Sequence, residues 1–301
     1  MAEAPITPSP LIFDRALIRS RRRRAASLGP ATFLLDRVAD DLAERLAAVL
    51  RRFDLAVDLG TPGEAVRAAL NRLASIGTIV AAADAAPRAR PFVAADEEAL
   101  PFGDGALDLV VSALALQFVN DLPGVLVQIR RALRPDGLFL AALLGGETLT
   151  ELRQSFAAAE SDVEGGASPR VAPFADLREL GALLQRAGFA LPVTDVDRVC
   201  VRYDSAVGLM HDLRRMGATN ALNARRRAPL KRATLARVAE IYAERFADAD
   251  GRVRATFEIV WLSGWAPHPD QQQPLKPGSA KARLADALGT REISTGEKAR
   301  R

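Results

Sequence analysis

The chain has 301 residues, of which 49% are hydrophobic, 26% charged and 5% aromatic. That balance supports a packed core, speaks against global disorder and leaves too few rings for a nucleic-acid stacking surface. The formal net charge of +4 is a mild arginine excess gathered at 21–24, 225–227 and the C-terminal 298–301; it permits an acidic partner or an anionic membrane surface and demands neither.

Cys200 is the single cysteine, and His211 and His268 are the only histidines. A disulfide framework, a thiolate zinc cage and a three-histidine zinc site are therefore excluded within one chain. No apolar run approaches the roughly 20 residues that span a bilayer. Pro5, Pro8 and Pro10 precede any apolar stretch, which fits neither a secretory signal nor a cleavable presequence. The expectation is a cytoplasmic protein with at most peripheral membrane contact.

In chain order, residues 1–10 read as a loose tail. Helical spacing of apolar residues predicts a helix from Phe13 to Arg24 and another from Ala31 to Arg52. The short apolar run 55–59 ending at Gly60 predicts a buried parallel strand feeding a loop. A helix over 63–74, strands at 78–82, 91–95 and 107–114, and a helix over 122–133 capped near Asp121 follow. Arg134-Pro135-Asp136-Gly137 reads as a turn, and 138–144 as the fifth strand of the series. Beyond it come helices over 148–160 and 174–187, a strand over 193–203, helices over 205–216 and 229–247, and a last strand over 256–265. This alternation is that of a doubly wound, mostly parallel α/β sheet. The expected organisation is an N-terminal helical segment (1–52), a nucleotide-binding α/β core (53–146), the remaining strands with an inserted helical lid (147–266) and a proline-rich flexible tail (267–301).

In such a sheet the ligand lies beyond the carboxyl ends of the strands. Asp58 and Gly60, with Gly63 in the loop, stand after the first strand; Asp84 closes the second and suits ribose hydroxyls. Asp96 and Glu97 close the third and suit an exocyclic amine, and Ser112 closes the fourth. Gln117 and Glu147, at the ends of the fourth and fifth strands, are the weak catalytic candidates. Asp108 and Asp121 read as a strand-edge residue and a helix cap, Arg153 and Arg170 as solvated charge, and Trp261 and Trp265 as core. His211, Asp212 and His268 are too far apart in sequence for a two-histidine-one-carboxylate iron site, so no metal site is expected.

Residues 96–102, 107–112 and 133–137 resemble the later motifs of class I S-adenosylmethionine-dependent methyltransferases. A more specific resemblance rests on Phe13-Asp14-Arg15, the run 114–123, Gly145-Gly146-Glu147-Thr148-Leu149, Ser168-Pro169-Arg170 and Met216-Gly217-Ala218-Thr219-Asn220. These segments resemble the respiratory complex I assembly-factor family that hydroxylates an arginine of a quinone-module subunit. The resemblance runs from Phe13 to about Trp265. It implies a Rossmann-like methyltransferase fold with an antiparallel last strand, S-adenosylmethionine as cofactor, and a complex I subunit as partner. Kin of that family include malonyl-carrier-protein methyltransferases, so a small-molecule or carrier-protein methyltransferase is the second reading.

The chain departs from the family at the glycine loop. Where Asp-x-Gly-x-Gly-x-Gly is usual, Pro62 takes the central place, Gly63 sits one place early and Glu64 replaces the last glycine. Proline removes a backbone donor, and a carboxylate repels the cofactor's own. The usual histidine-tryptophan pair after the fourth strand reads Gln117-Phe118. The third reading is accordingly a non-catalytic assembly chaperone with a degenerate cofactor loop.

Overall fold

A computed structural model describes residues 11–84, 91–270 and 289–290. Met1–Pro267 form one unit and His268–Arg301 a second. In the second, the Asp270 amide donates to Nδ1 of His268; most of the tail expected to be flexible lies outside the described residues, as do residues 1–10.

The first unit is built on a seven-stranded sheet ordered β3-β2-β1-β4-β5-β7-β6. The strands are β1 (Phe53–Leu59), β2 (Ile76–Ala83), β3 (Phe92–Ala94), β4 (Leu107–Ala113), β5 (Leu133–Leu144), β6 (Ala190–Tyr203) and β7 (Val253–Trp265). Strands β1 to β5 pair in parallel, and β7 runs antiparallel between β5 and β6. The doubly wound sheet with an antiparallel last strand is thus the architecture found. Strand β4 shows why its sequence is a nearly unbroken apolar run. Leu109, Val111 and Ala113 pack on one side of the sheet and Val110 on the other, so both faces are buried.

One face is covered by α2 (Phe33–Ala47) and α3 (Ala65–Leu70), the other by α4 (Leu122–Ala132) and α6 (Leu177–Arg186). In α2 the stripe Leu34, Leu35, Val38, Leu42 and Leu46 is buried at helical spacing. Asp121 accepts the Gly124 amide at 2.9 Å and starts α4, as the sequence indicated. Helix α2 ends before the expected Arg52, and Leu50 is fully exposed. Helix α3 starts later than expected because Gly63, at φ +79°, cannot belong to a helix, and it ends at Leu70 with Asn71 as its C-cap. The turn read at 134–137 lies within β5 instead. There Asp136 takes φ +59° and the pairing with β4 shifts register, so an irregularity in the strand replaces a true chain reversal.

The remaining helices are α1 (Arg15–Ser27), α5 (Thr150–Glu164), α7 (Ala206–Arg215) and α8 (Arg232–Phe246). Of the two helices inserted between β6 and β7, only α7 reaches the ligand-binding end of the sheet. Helix α8 packs against α5, α7 and β7 and contributes no residue to the wall of the cavity there. Helix α1 is tied to the loop after α7 by the bridge between Phe13 and Leu222 and by the Asp14 amide donating to the Ala221 carbonyl at 2.9 Å. A small satellite core of Phe13, Ile18, Ala221 and Leu222 fixes this lid-side unit.

Candidate cofactor site

A cavity of about 940 Å³ opens beyond the carboxyl ends of β1, β2, β4 and β5. Its floor is the loop Gly60-Thr61-Pro62-Gly63-Glu64 with Asp58 and Arg67; Leu114, Gln117 and Leu144 form one side, and Arg19, Arg22, Met210 and Met216 close the top. Most of the remaining wall is apolar, with Leu34, Leu149, Phe156, Phe174 and Phe257 prominent.

The loop is shaped by two glycines and pinned by a threonine. Gly60 stands at φ +68°, and a Cβ there would lie 2.7 Å from the Glu97 side chain, so only glycine fits. Thr61 Oγ1 accepts the Ala113 amide at 3.0 Å, which fastens the loop to the end of β4. Pro62 sits between them and gives the cavity no backbone donor.

Asp58, 2% exposed, does not face the cavity as a free carboxylate. Arg67 Nη1 donates to it at 2.6 Å, and Arg67 Nη2 donates to the Gly63 carbonyl at 2.8 Å. Burial pushes the Asp58 carboxyl up to about 6, against the opposing pull of Thr61 and Arg67. Arg67 is itself buried, and its Nε finds no acceptor among the described residues. The first turn of α3 therefore places a guanidinium directly under the glycine loop. A position nine residues after the aspartate carries no sequence signal, and it was missed.

Asp84 closes β2 and lines the cavity, where Arg19 Nε stands 3.4 Å from its carboxylate. Asp96 and Glu97 lie beside the cavity and are engaged by the same helix. Arg15 bonds both, Arg19 bonds Asp96, and Arg22 reaches Glu97 at 3.2 Å. Arg15, Arg19 and Arg22 recur at helical spacing, so one face of α1 meets the acids at the ends of β2 and β3. That spacing was legible; its target was not.

Ser112 is fully buried and does not line the cavity. Its hydroxyl donates to the Leu59 carbonyl at 2.8 Å and stitches β4 to β1. Gln117, in the short 3₁₀ turn Leu116–Phe118, does line it, and its buried Oε1 has no partner among the described residues. Phe118 beside it stacks edge-on against Phe13 and Phe174 at 5.7 and 6.3 Å. Glu147 is not among the cavity-lining residues; its amide points to Glu258 at 3.4 Å. Asp108 accepts from the Leu55 amide and Arg134, a structural role at the strand edge. Arg153 and Arg170, read as solvated, are both spent inside the fold. Arg153 donates to the Gly146 and Thr148 carbonyls, and Arg170 clasps the fully buried Glu160. Among the described residues no three His, Cys, Asp or Glu side chains gather in metal-ligating geometry.

Residues 58–141 match the family model described as a methyltransferase domain. The chain is 39% identical over 287 residues to the zebrafish (Danio rerio) mitochondrial arginine hydroxylase NDUFAF5, covering 91% of this chain and 89% of that one. It is 36% identical over 287 residues to a malonyl-[acyl-carrier protein] O-methyltransferase of Laribacter hongkongensis, covering 88% and 94%. The solved structure of the YcgJ protein from Bacillus subtilis superposes with a TM-score of 0.51 at 14% identity, over 77% of this chain and 99% of that one, a likeness of fold. With the sheet order, the cavity at the strand ends and full-length identity near 40% in agreement, the chain belongs to the methyltransferase-fold family that contains the NDUFAF5 arginine hydroxylases and the malonyl-carrier-protein O-methyltransferases.

Proposed function

We propose that the chain binds S-adenosylmethionine in this cavity and modifies an arginine of a respiratory complex I subunit during assembly. The observation that carries the reading is the 39% identity to a named arginine hydroxylase over 91% of the chain. No described helix is long and apolar enough to cross a membrane, so the partner subunit would be met by a peripheral route.

The residues present fit the cofactor. Asp84 at the end of β2 is the ribose acceptor, and the left-handed backbone at Gly60 and Gly63 turns the loop across the cavity floor. Asp96 and Glu97 hold the neighbouring wall through α1 rather than reaching the ligand themselves. At the amino-acid end the loop has lost an amide to Pro62 and gained the Arg67 guanidinium. Arg67, which lines the cavity while paired with Asp58 beneath the loop, is the cation toward which the cofactor's carboxylate turns. The departure at Pro62 is thus compensated in the following helix by a cation that a standard loop does not need. Bound there, the cofactor would supply an activated methyl or an adenosyl group; the chain supplies orientation and exclusion of water under α1 and α7.

Mass spectrometry of complex I subunits from cells with and without the chain tests the reading. A modified arginine present only with the chain is expected. It is heavier by one oxygen atom where dioxygen with an external two-electron reductant supplies that atom, or by one methylene where the cofactor transfers its methyl and the arginine loses a proton. Identical arginine masses in both samples would sink it. The malonyl-carrier-protein reading rests on the 36% relative and is decided by methyl-ester formation on an acyl-carrier thioester.

A further inference from the structure

Beside the cavity mouth the surface carries arginines that the fold leaves unneutralised. Some exposed arginines elsewhere are paired, as Arg72 is with Asp40 at 2.8 Å and Arg131 with Asp104 at 2.9 Å, and others, such as Arg178 and Arg186, stand singly without a carboxylate among the described residues. Arg21, Arg24, Arg214 and Arg227 also form no salt bridge among the described residues, but they stand together. Two depressions lie between them, on either side of the loop after α7. One, of about 370 Å³, is lined by Arg21, Arg170, Asn220, Arg225, Arg226 and Arg227; the other by Arg21, Arg24, Arg214, Thr219 and Leu230. Like charges do not gather in a concavity without cost. Burial, with the charges of Arg225 and Arg24 adding to it, depresses the Arg21 guanidinium below its ordinary value. Arg21 is nonetheless held in place, because it donates to the Thr219 and Asn220 carbonyls. Three carboxylates reach this cluster, Asp14 on Arg225, Glu160 on Arg170 and Glu164 on Arg226. Of the five arginines lining the first depression, Arg21 and Arg227 are thus left without a carboxylate among the described residues, and the hollow keeps a positive excess.

We infer that the depression walled by Arg21, Arg225, Arg226 and Arg227 is an anion site for a phosphoryl group. Several guanidiniums converging on one hollow present forked donors from different directions, which suits a multiply charged tetrahedral oxyanion better than a single planar carboxylate. The arginines ring a shallow depression of about 370 Å³, with room for a discrete phosphoryl group among them. Arg170 and Asn220 belong both to this hollow and to the wall of the central cavity. A molecule entering that cavity with a phosphate at its outer end is therefore the ligand class that engages both. The inference stands apart from the cofactor reading, since it concerns the rim and not the glycine loop.

The test is titration of the full chain with inorganic pyrophosphate at low salt, followed by calorimetry and by the ³¹P shift. One-to-one binding with a Kd below about 1 mM is expected, weakened about tenfold or more in the double variant Arg226→Gln/Arg227→Gln and unchanged in Arg131→Gln. The single variant Arg227→Gln, which removes no salt bridge, keeps the melting temperature and still weakens pyrophosphate. No binding at about 10 mM, or equal binding by the double variant, overturns the inference. So does arginine-dependent binding seen only on phosphatidylglycerol vesicles, which would make the cluster a membrane surface.

Discussion

The substitution Asp58→Asn isolates the one strongly perturbed carboxyl of the cofactor loop. Asp58 is sealed under the loop with a single guanidinium contact at 2.6 Å, and burial outweighs that attraction, lifting the carboxyl from 3.8 to about 6. The sign follows from linkage. Between those values the folded chain holds a proton that the unfolded chain releases, so this group's contribution to stability rises as the pH falls through 6 and is complete near 4. The full difference is about 3 kcal/mol, of which roughly half has accumulated by about pH 5. The amide of the variant does not titrate. Urea unfolding of wild type and Asp58→Asn at about pH 7.5 and about pH 5 should therefore show the wild-type advantage growing by about 1 kcal/mol on acidification, with unchanged m-values. A difference that is flat with pH, or that shrinks on acidification, would show that Arg67 dominates the burial cost and would refute the reasoning.

Further outcomes follow from the same contacts. Arg15→Leu removes the cation shared by Asp96 and the nearly buried Glu97, and should cost about 3 kcal/mol in chemical unfolding. A Cβ at Gly264 would stand 2.8 Å from the Phe189 Cβ, so Gly264→Ala should lose about 1–3 kcal/mol and lower the melting temperature; an unchanged midpoint would mean Phe189 yields there freely. Trp261, 2% exposed with Arg45 stacked on its ring at 4.3 Å, should lose about 3–5 kcal/mol as Trp261→Ala. Arg67→Lys keeps the charge but not the fork, so S-adenosylmethionine affinity should fall about tenfold at near-normal stability; unchanged affinity would remove Arg67 from the site.

Much of the fold was legible because period and burial coincide. The run 107–114 is apolar on both faces and became the central strand β4, while the stripe from Leu34 to Leu46 became the buried side of α2. Boundaries failed where one backbone residue decides, as at Gly63 and Asp136, whose positive φ leaves little trace in apolar periodicity. For the site, Asp58, Gly60 and Asp84, read from the strand ends, lie at or under the cavity. Ser112 looked equivalent in sequence and turned out to bond backward into β1, because alternation along a strand sends neighbouring side chains to opposite faces. The pairings of Arg67 with Asp58 and of α1 with the acids of β2 and β3 depend on three-dimensional approach, with Arg22 of α1 and Glu97 75 positions apart. Sequence spacing shows which arginines share a face and is silent on what that face meets.

The central claim is that an altered loop still holds the cofactor, because Arg67 replaces what Pro62 removed. Calorimetric titration of the full chain with S-adenosylmethionine tests this most directly. One-to-one binding with a Kd below about 100 μM is expected, weakened in Arg67→Lys. The absence of heat or saturation at about 1 mM would contradict the claim and leave the fold as a scaffold without its nucleoside.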